Sequence, residues 1–507
     1  MSQIVTKNID FFNKYTDNIY MNFNKSIIRF LSLELNNMKN VENGTVFVNG
    51  YTKKDAWTKY DLDSSDVIGI YGQNGSGKTS VIQALILLRM AILGDKFSLT
   101  TKEFQKFILE DYITKGKDRL KLSSRFLISD STDSKIIEYS LSFILRQDVD
   151  SSSKQKYLVI LESETLNILN TDLTPTDLYL KYSQDSKQIF EPIDLYNQII
   201  NEDSELAVTF QVCKVLSEKE CSSYLFNPEM QKIYKSSVFY EIYSYMQFFR
   251  KYINEDFCII TKDFMDLTSQ NLLPLALQND ESRVGSFINF IGISLRGAQF
   301  IEQKKIHIFT ALIEELNTVI NSIIPDMQLK MKTLRSELSN NNQTGDVIEV
   351  VSIRNGQEIP LHYESEGIKK LLTILNLLIY MHNNPNVFIA IDELDASIFE
   401  YLLGELLSML TESGKGQLIF TSHNLYPLEL LEKESIFFTT TNPQHRYIKF
   451  KYIKPNNNLR DLYLKTIRLG GQEEPVYNES NTGNMRLSFY SAGKKFEHFL
   501  DSLKETK

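Results

Sequence analysis

Eight consecutive residues, Gly72-Gln73-Asn74-Gly75-Ser76-Gly77-Lys78-Thr79, combine three glycines with one cation and two hydroxyls. Glycines so spaced let backbone N–H groups turn inward around an anion. The lysine can neutralise phosphate oxygens, and the threonine hydroxyl can ligate Mg2+. Far downstream, Asp392 and Glu393 stand side by side after the apolar run VFIAI. Beside a phosphate loop, the first carboxylate can hold the metal, directly or through water. The second can take a proton from an attacking water. In LIFTSHN another apolar run ends in His423, whose imidazole suits contact with a terminal phosphate or with that water near neutral pH. Together these residues spell hydrolysis of a nucleoside triphosphate. Each has an ordinary alternative: a glycine-rich turn, an exposed acidic turn, a structural histidine. Their occurrence together favours chemistry.

Such groups must meet, and the flanking patterns say how. VIGIY precedes the loop and SVIQALILLRMAIL follows it, a buried strand and then a helix whose N-terminus adds positive potential for an anion. In an open parallel sheet, ligand groups gather beyond the carboxyl ends of the strands. Two carboxylates at such an end are costly unless a cation compensates them, which Mg2+ and Lys78 would do. Residues 26–51 alternate apolar and polar with turn signals at Asn36-Asn37 and Asn43-Gly44, and read as paired antiparallel strands. RLKLSSRFLIS, KIIEYSLSFIL and KYLVILESETLNIL extend that pattern to about residue 170. From about 175 to 335 the pattern is mostly helical. SELSNNNQTGD is a polar boundary, VIEVVSI a strand, and EGIKKLLTILNLLIYM a helix ending before Asn383-Asn384-Pro385. The expected division is 1–170, an N-terminal head lobe; 171–344, a helical insertion; 345–455, a C-terminal head lobe; and 456–507, a helical tail.

Composition narrows the class. A chain of 507 residues exceeds one simple core. Its 31 Phe and 26 Tyr argue against general disorder, and a net charge of −9 argues against coating a polyanion. The three cysteines, Cys213, Cys221 and Cys258, form no CxxC pair, which excludes a Cys-rich zinc site and a disulfide scaffold. No run reaches 18 apolar residues and the N-terminus has no signal core. A cytosolic protein without membrane contact is expected.

The phosphate loop, ESEGIKKLL, FIAIDELDAS and LIFTSHN occur in the order of the ABC-type ATPases. They most resemble the soluble SMC/RecF-like branch and, within it, the AAA-type ATPases of bacterial anti-phage and abortive-infection systems, including the overcoming-lysogenisation-defect-like group. The resemblance covers roughly residues 26–170 and 345–450. It implies an α/β fold, a P-loop NTPase head with an antiparallel lobe, and ATP with Mg2+ as cofactors. Gly72, Asn74, Gly75, Ser76, Gly77, Lys78, Thr79 and Ser80 would cradle the nucleotide. Thr79 and Asp392 would hold the metal, with Glu393, His423 and Lys78 catalytic. Ser365, Glu366 and Gly367 become the signature that caps the terminal phosphate on a second copy, with Asp395 and Ala396 at the interface between copies. Lys39 would approach the nucleotide. A Ser hydroxyl and a Gly backbone at a helix start form a second anion site, or else an ordinary helix cap. One chain cannot apply both anion sites to one nucleotide, so a homodimer or higher homo-oligomer sandwiching ATP is expected.

Departures refine the resemblance. Glu366 stands where a transporter signature has Gly, and Lys369-Lys370 follow, against a transporter subunit. Gln147 is one of several candidates for the glutamine between the lobes. Basic clusters (Lys115, Lys117, Arg119; Lys330, Lys332, Arg335; Arg460, Lys465, Arg468) are solvated faces or contacts for DNA or a partner. No HNH-like histidine cluster or Toprim-sized tail is present, so no nuclease is expected in this chain. The expected role is the ATP-dependent sensor or regulator of a separate nuclease or toxin. A DNA-repair or DNA-maintenance ATPase is the alternative.

Overall fold

The computed structural model describes residues 26–48, 62, 64–97, 100–101, 105–106, 109–130, 133–148, 156–186, 188–235, 239–265, 267–268, 272–276, 290–338, 343–450, 458–478 and 481–505. Its centre is a six-stranded sheet in the order Phe257–Ile260, Phe388–Ile391, Gln417–Thr421, Asp66–Tyr71, Ile436–Thr439, Tyr447–Ile448. All pairings are parallel except the last. The three strands that precede the chemical motifs are buried along their whole length, because layers cover both faces of the sheet and apolar side chains therefore point both ways.

On one face lies a seven-stranded antiparallel sheet. It runs Phe190–Glu191, Pro175–Ser183, Lys156–Asn170, Ser134–Asp148, Arg119–Ser129, Ile27–Met38, Val41–Phe47. The helix Lys78–Leu93 is buried nearly all round and shares one core with that sheet. Phe30 packs at 5.1 Å on Phe388, which stacks at 4.3 Å on Phe257. The other face carries Glu366–Asn383, Glu400–Ser413 and Leu459–Leu469 over a second core. A third core joins the helix Gln303–Ile323 and the strands Met327–Leu338 and Thr344–Arg354 to the helix Glu366–Asn383.

Fully buried Arg29 fastens the layers. Its guanidinium donates to the carbonyls of Ser64 (2.7 Å), Pro385 (3.0 Å) and Lys415 and to Asp66 Oδ2 (2.9 Å). These acceptors mark the amino ends of three parallel strands. Gln417 Nε2 adds a bond to the same Asp66 oxygen at 2.8 Å.

The expected antiparallel lobe is present, and it runs further than the sequence pattern. Pro175–Ser183 pairs with Lys156–Asn170, so one sheet crosses the division expected at residues 170 and 171. The division at 344 and 345 likewise falls within Thr344–Arg354, which pairs with Met327–Leu338. The stretch expected to be mostly helical carries Ile193–Glu202, Ser204–Glu220, Tyr240–Glu255 and Gln303–Ile323. It also carries strands, and Phe257–Ile260 is the outermost strand of the parallel sheet. FCII, LLPLA and FIGIS are runs of four or five residues, too short for periodicity to tell strand from helix.

Candidate nucleotide site at the carboxyl rim of the parallel sheet

The phosphate loop leaves the strand Asp66–Tyr71 and enters the helix at Lys78. Gly75 and Gly77 have φ of 73° and 97°, left-handed values that cost a residue with a Cβ. At Gly72 a Cβ would collide with the Thr439 hydroxyl, which itself donates to Ser76 Oγ at 2.5 Å. Tyr447 donates to the Gly77 carbonyl at 2.7 Å. Buried Lys78 donates to the carbonyls of Gly72 (2.9 Å) and Gln73 (3.0 Å), so its ammonium lies inside the loop. Ser80 is buried one residue past Thr79 and donates to Asn40 Oδ1 at 3.4 Å.

Parallel register brings the distant motifs to this rim. Asp66–Ile70 lies beside Gln417–Thr421, which lies beside Phe388–Ile391. Asp392 Oδ1 therefore meets the Thr79 hydroxyl at 3.3 Å and the Thr421 hydroxyl at 2.6 Å. Burial pushes the Asp392 carboxyl up; the two hydroxyls and Lys78 pull it down, and Glu393 adds to the rise. Burial pushes Lys78 down, while Asp392, Glu393 and Asp395 pull it up. The set suits a triphosphate with a divalent cation: a buried carboxylate at an energetic cost, a hydroxyl beside it, and a loop lysine. Such an arrangement is stabilised when a cation and an anion are added together.

Glu393 has φ of 51°, an uncommon conformation for a side-chain-bearing residue. Its N–H donates to Thr421 Oγ1 at 2.8 Å, and its carboxylate pairs with Lys262 at 3.0 Å. Asp395 Oδ2 accepts the N–H groups of His423 (3.1 Å) and Asn424 (3.0 Å), joining the acidic loop to the histidine loop. Burial and Lys78 hold the His423 imidazole below its usual value, against the three neighbouring carboxylates. Lys39 has φ of 53°, donates its N–H to Tyr112 O at 2.7 Å, and lays its ammonium 4.5 Å from the Tyr112 ring centre. Burial lowers its pKa, and Asp111 and then Asp392 raise it.

Ser365 caps the helix Glu366–Asn383 by accepting the Ile368 N–H at 3.3 Å, and it is exposed. A Cβ on Gly367 would strike the Ser397 carbonyl oxygen, so the signature helix starts directly against the Asp395–Ser397 loop. Gln147 lies on the antiparallel sheet opposite Tyr157, not on a parallel strand. Most of the basic side chains are neutralised locally: Lys117 by Glu42 (3.1 Å), Arg119 by Glu162, Lys330 and Lys332 by Glu358, Arg335 by Glu337, and Arg460 by Glu429. Among the described residues no helix is long and apolar enough to cross a membrane.

Three participants escaped the sequence reading. Thr421 sits inside the LIFTSHN motif, so a hydroxyl at a strand end beside an acidic pair was the available signal. Asn40, whose amide reaches the Gly75 carbonyl, and Lys262 belong to no motif.

The sequence profile of the AAA ATPase domain family matches residues 45–427. The chain belongs to that family. An AAA ATPase domain binds ATP and hydrolyses it, and the P-loop fold expected from the motifs is the fold found. No curated protein matches the chain. Among solved structures, the Smc head bound to the C-winged helix domain of ScpA is 11% identical over 83% of this chain and 98% of its own, with a TM-score of 0.37. The SMC head domain from Thermotoga maritima is 11% identical over 84% and 100%, with a TM-score of 0.34. The RecF–ATP structure from the RecFOR pathway is 12% identical over 78% and 94%, with a TM-score of 0.30.

Proposed function

We propose that this AAA ATPase domain protein hydrolyses ATP between two copies of itself and uses the cycle to control a separate effector in anti-phage defence. The observation that carries the hydrolytic part is the meeting of Thr79 and Asp392 at 3.3 Å beside Lys78. In this reading Gly72, Asn74, Gly75, Ser76, Gly77 and Ser80 form the phosphate cradle, Lys78 balances phosphate charge, and Thr79 with Asp392 holds Mg2+. When bound, the magnesium nucleotide supplies the polarised phosphorus centre. Glu393 takes the proton from the attacking water. His423 orients that water or the terminal phosphate, with Asp395 fixing its backbone.

Sharing between copies is supported by the exposure of Ser365. Its hydroxyl opens a helix of 18 residues, and around it Tyr363 is 73% exposed and Phe399 68% exposed. Both aromatic side chains are open to contact with a second copy. The regulatory role rests on the resemblance in motif order and on the lack of a second catalytic set among the motifs.

A two-variant experiment tests the reading. Glu393→Gln should retain ATP and accumulate a dimer on sizing in MgATP, while hydrolysis falls at least about 100-fold. Lys78→Ala should lose nucleotide binding. Normal turnover by the Glu393 variant would refute the base assignment. A monomer in every nucleotide state would refute the shared site. Hydrolysis stimulated by DNA and lost when Lys115, Lys117 and Arg119 are neutralised would favour the DNA-maintenance role instead.

A further inference from the structure

Outside the motifs, and among the described residues, Lys262 touches the acidic pair. Lys262 follows the outermost parallel strand, whose register sets Ile260 beside Ile391, and Asp392 N–H extends the ladder to Ile260 O at 2.9 Å. The two chains thus leave the rim side by side, and residue 262 comes level with residue 393. There Lys262 opens a short turn, Lys262–Met265, pinned by buried Met265, whose N–H donates to Thr261 O at 3.1 Å. Its ammonium meets Glu393 Oε2 at 3.0 Å. Lys78, the rim's other lysine near this carboxylate, gives its ammonium to the Gly72 and Gln73 carbonyls.

We propose that Lys262 is a positioning residue for Glu393. Its ammonium holds one carboxylate oxygen and leaves Oε1 for the water to be activated. The inference rests on the assignment of Glu393 as the base. Glu393 is fixed at both ends: Thr421 holds its main chain in a left-handed conformation, and Lys262 holds its carboxylate. A glutamate side chain turns about three bonds, and a base displaced by about 1 Å loses on the order of 100-fold in rate. Stability does not account for the pair. The partners are 58% and 33% exposed, and ion pairs so exposed contribute little to folding. A lysine placed by sheet register against a carboxylate held in a strained backbone is better explained by catalysis.

The test uses the full chain with MgATP. Lys262→Met should lower kcat by about 10- to 100-fold with KM for ATP nearly unchanged and thermal stability preserved. Lys262→Arg, which keeps the cation, should restore most of the rate. Lys262→Gln serves as a second, more polar truncation and should match the Met variant. In a Glu393→Gln background, Lys262→Met should cost nothing further, because the two residues act as a unit. Unchanged kcat in both Lys262 truncations, with Glu393→Gln inactive, would overturn this inference and leave the base assignment standing. An equal fall in the Met and Arg variants, or a rise in KM alone, would also overturn it. Normal turnover by Glu393→Gln would instead remove the base assignment, and this inference with it.

Discussion

Gly367→Ala offers a sharp test of how the signature helix is seated. An added Cβ would lie under 3.0 Å from the Ser397 carbonyl oxygen, so something must move by about 1 Å to restore contact distance. The carbonyl is poorly placed to retreat. Ser397 already has φ of 68°, and consecutive turns hold its loop, Ala396 N–H to Glu393 O at 3.0 Å and Ile398 N–H to Asp395 O at 3.2 Å. The helix start therefore moves, carrying Ser365 with it. Two stability terms oppose each other: overpacking costs about 1–3 kcal/mol, and replacing glycine in a helix returns up to about 1 kcal/mol. The net loss is about 0–3 kcal/mol, a few degrees in Tm at most for a protein of this size. Function has no such offset, since a shift of about 1 Å in a group contacting the transition state costs on the order of 100-fold. Steady-state hydrolysis should fall by about that factor, while nucleotide binding to the chain's own phosphate loop changes by less than about threefold. Gly493→Ala, in an exposed helix with nothing within 4 Å of the new Cβ, is the matched control and should hydrolyse normally. Wild-type turnover by Gly367→Ala would refute both the seating and the role given to Ser365.

Three further outcomes follow from ionisable groups at the rim and at the strand starts. The Asp392 carboxyl is held above its ordinary range by burial. Its stabilising share is therefore complete below about pH 4 and is lost as pH rises through the raised value. Asp392→Asn should thus raise Tm at neutral pH, with the gain shrinking toward about pH 4, while Mg2+-dependent hydrolysis is abolished. His423 is held below its ordinary value, so the fold binds fewer protons there than the unfolded chain and loses stability as pH falls through about 6.5. His423→Gln should flatten that acid decline in a Tm series from about pH 7 to 5. Arg29→Met would strand Asp66 and the carbonyls of Ser64, Pro385 and Lys415, and chemical denaturation should show a loss of about 3–5 kcal/mol.

The meeting of the rim residues was legible because its parts are local. Gly72 to Thr79, Asp392 and His423 each close an apolar strand, and the rule that ligands gather beyond parallel strand ends joins them without any knowledge of the middle of the chain. The antiparallel lobe announced itself by alternation for the same reason. What escaped depends on pairing across long separations. FCII becomes a sheet edge only by lying beside FIAI, and Lys262 meets Glu393 only as a consequence. Thr344–Arg354 pairs with its chain neighbours Met327–Leu338 and Gln357–Pro360 and also with the distant Gln299–Glu302, and no periodicity within eleven residues records that last pairing. The basic clusters read as charge in the sequence, and the carboxylates that neutralise most of them come from other elements.

Arg29 also decides which way this machine can flex. By lashing three strand starts and the antiparallel layer to a single guanidinium, it gives the body a keel at the end opposite the nucleotide. In the proposed ATP-driven cycle, movement would therefore fall on the loops at the opposite rim, where the helix Glu366–Asn383 rests on Ser397, rather than on the layer contacts below.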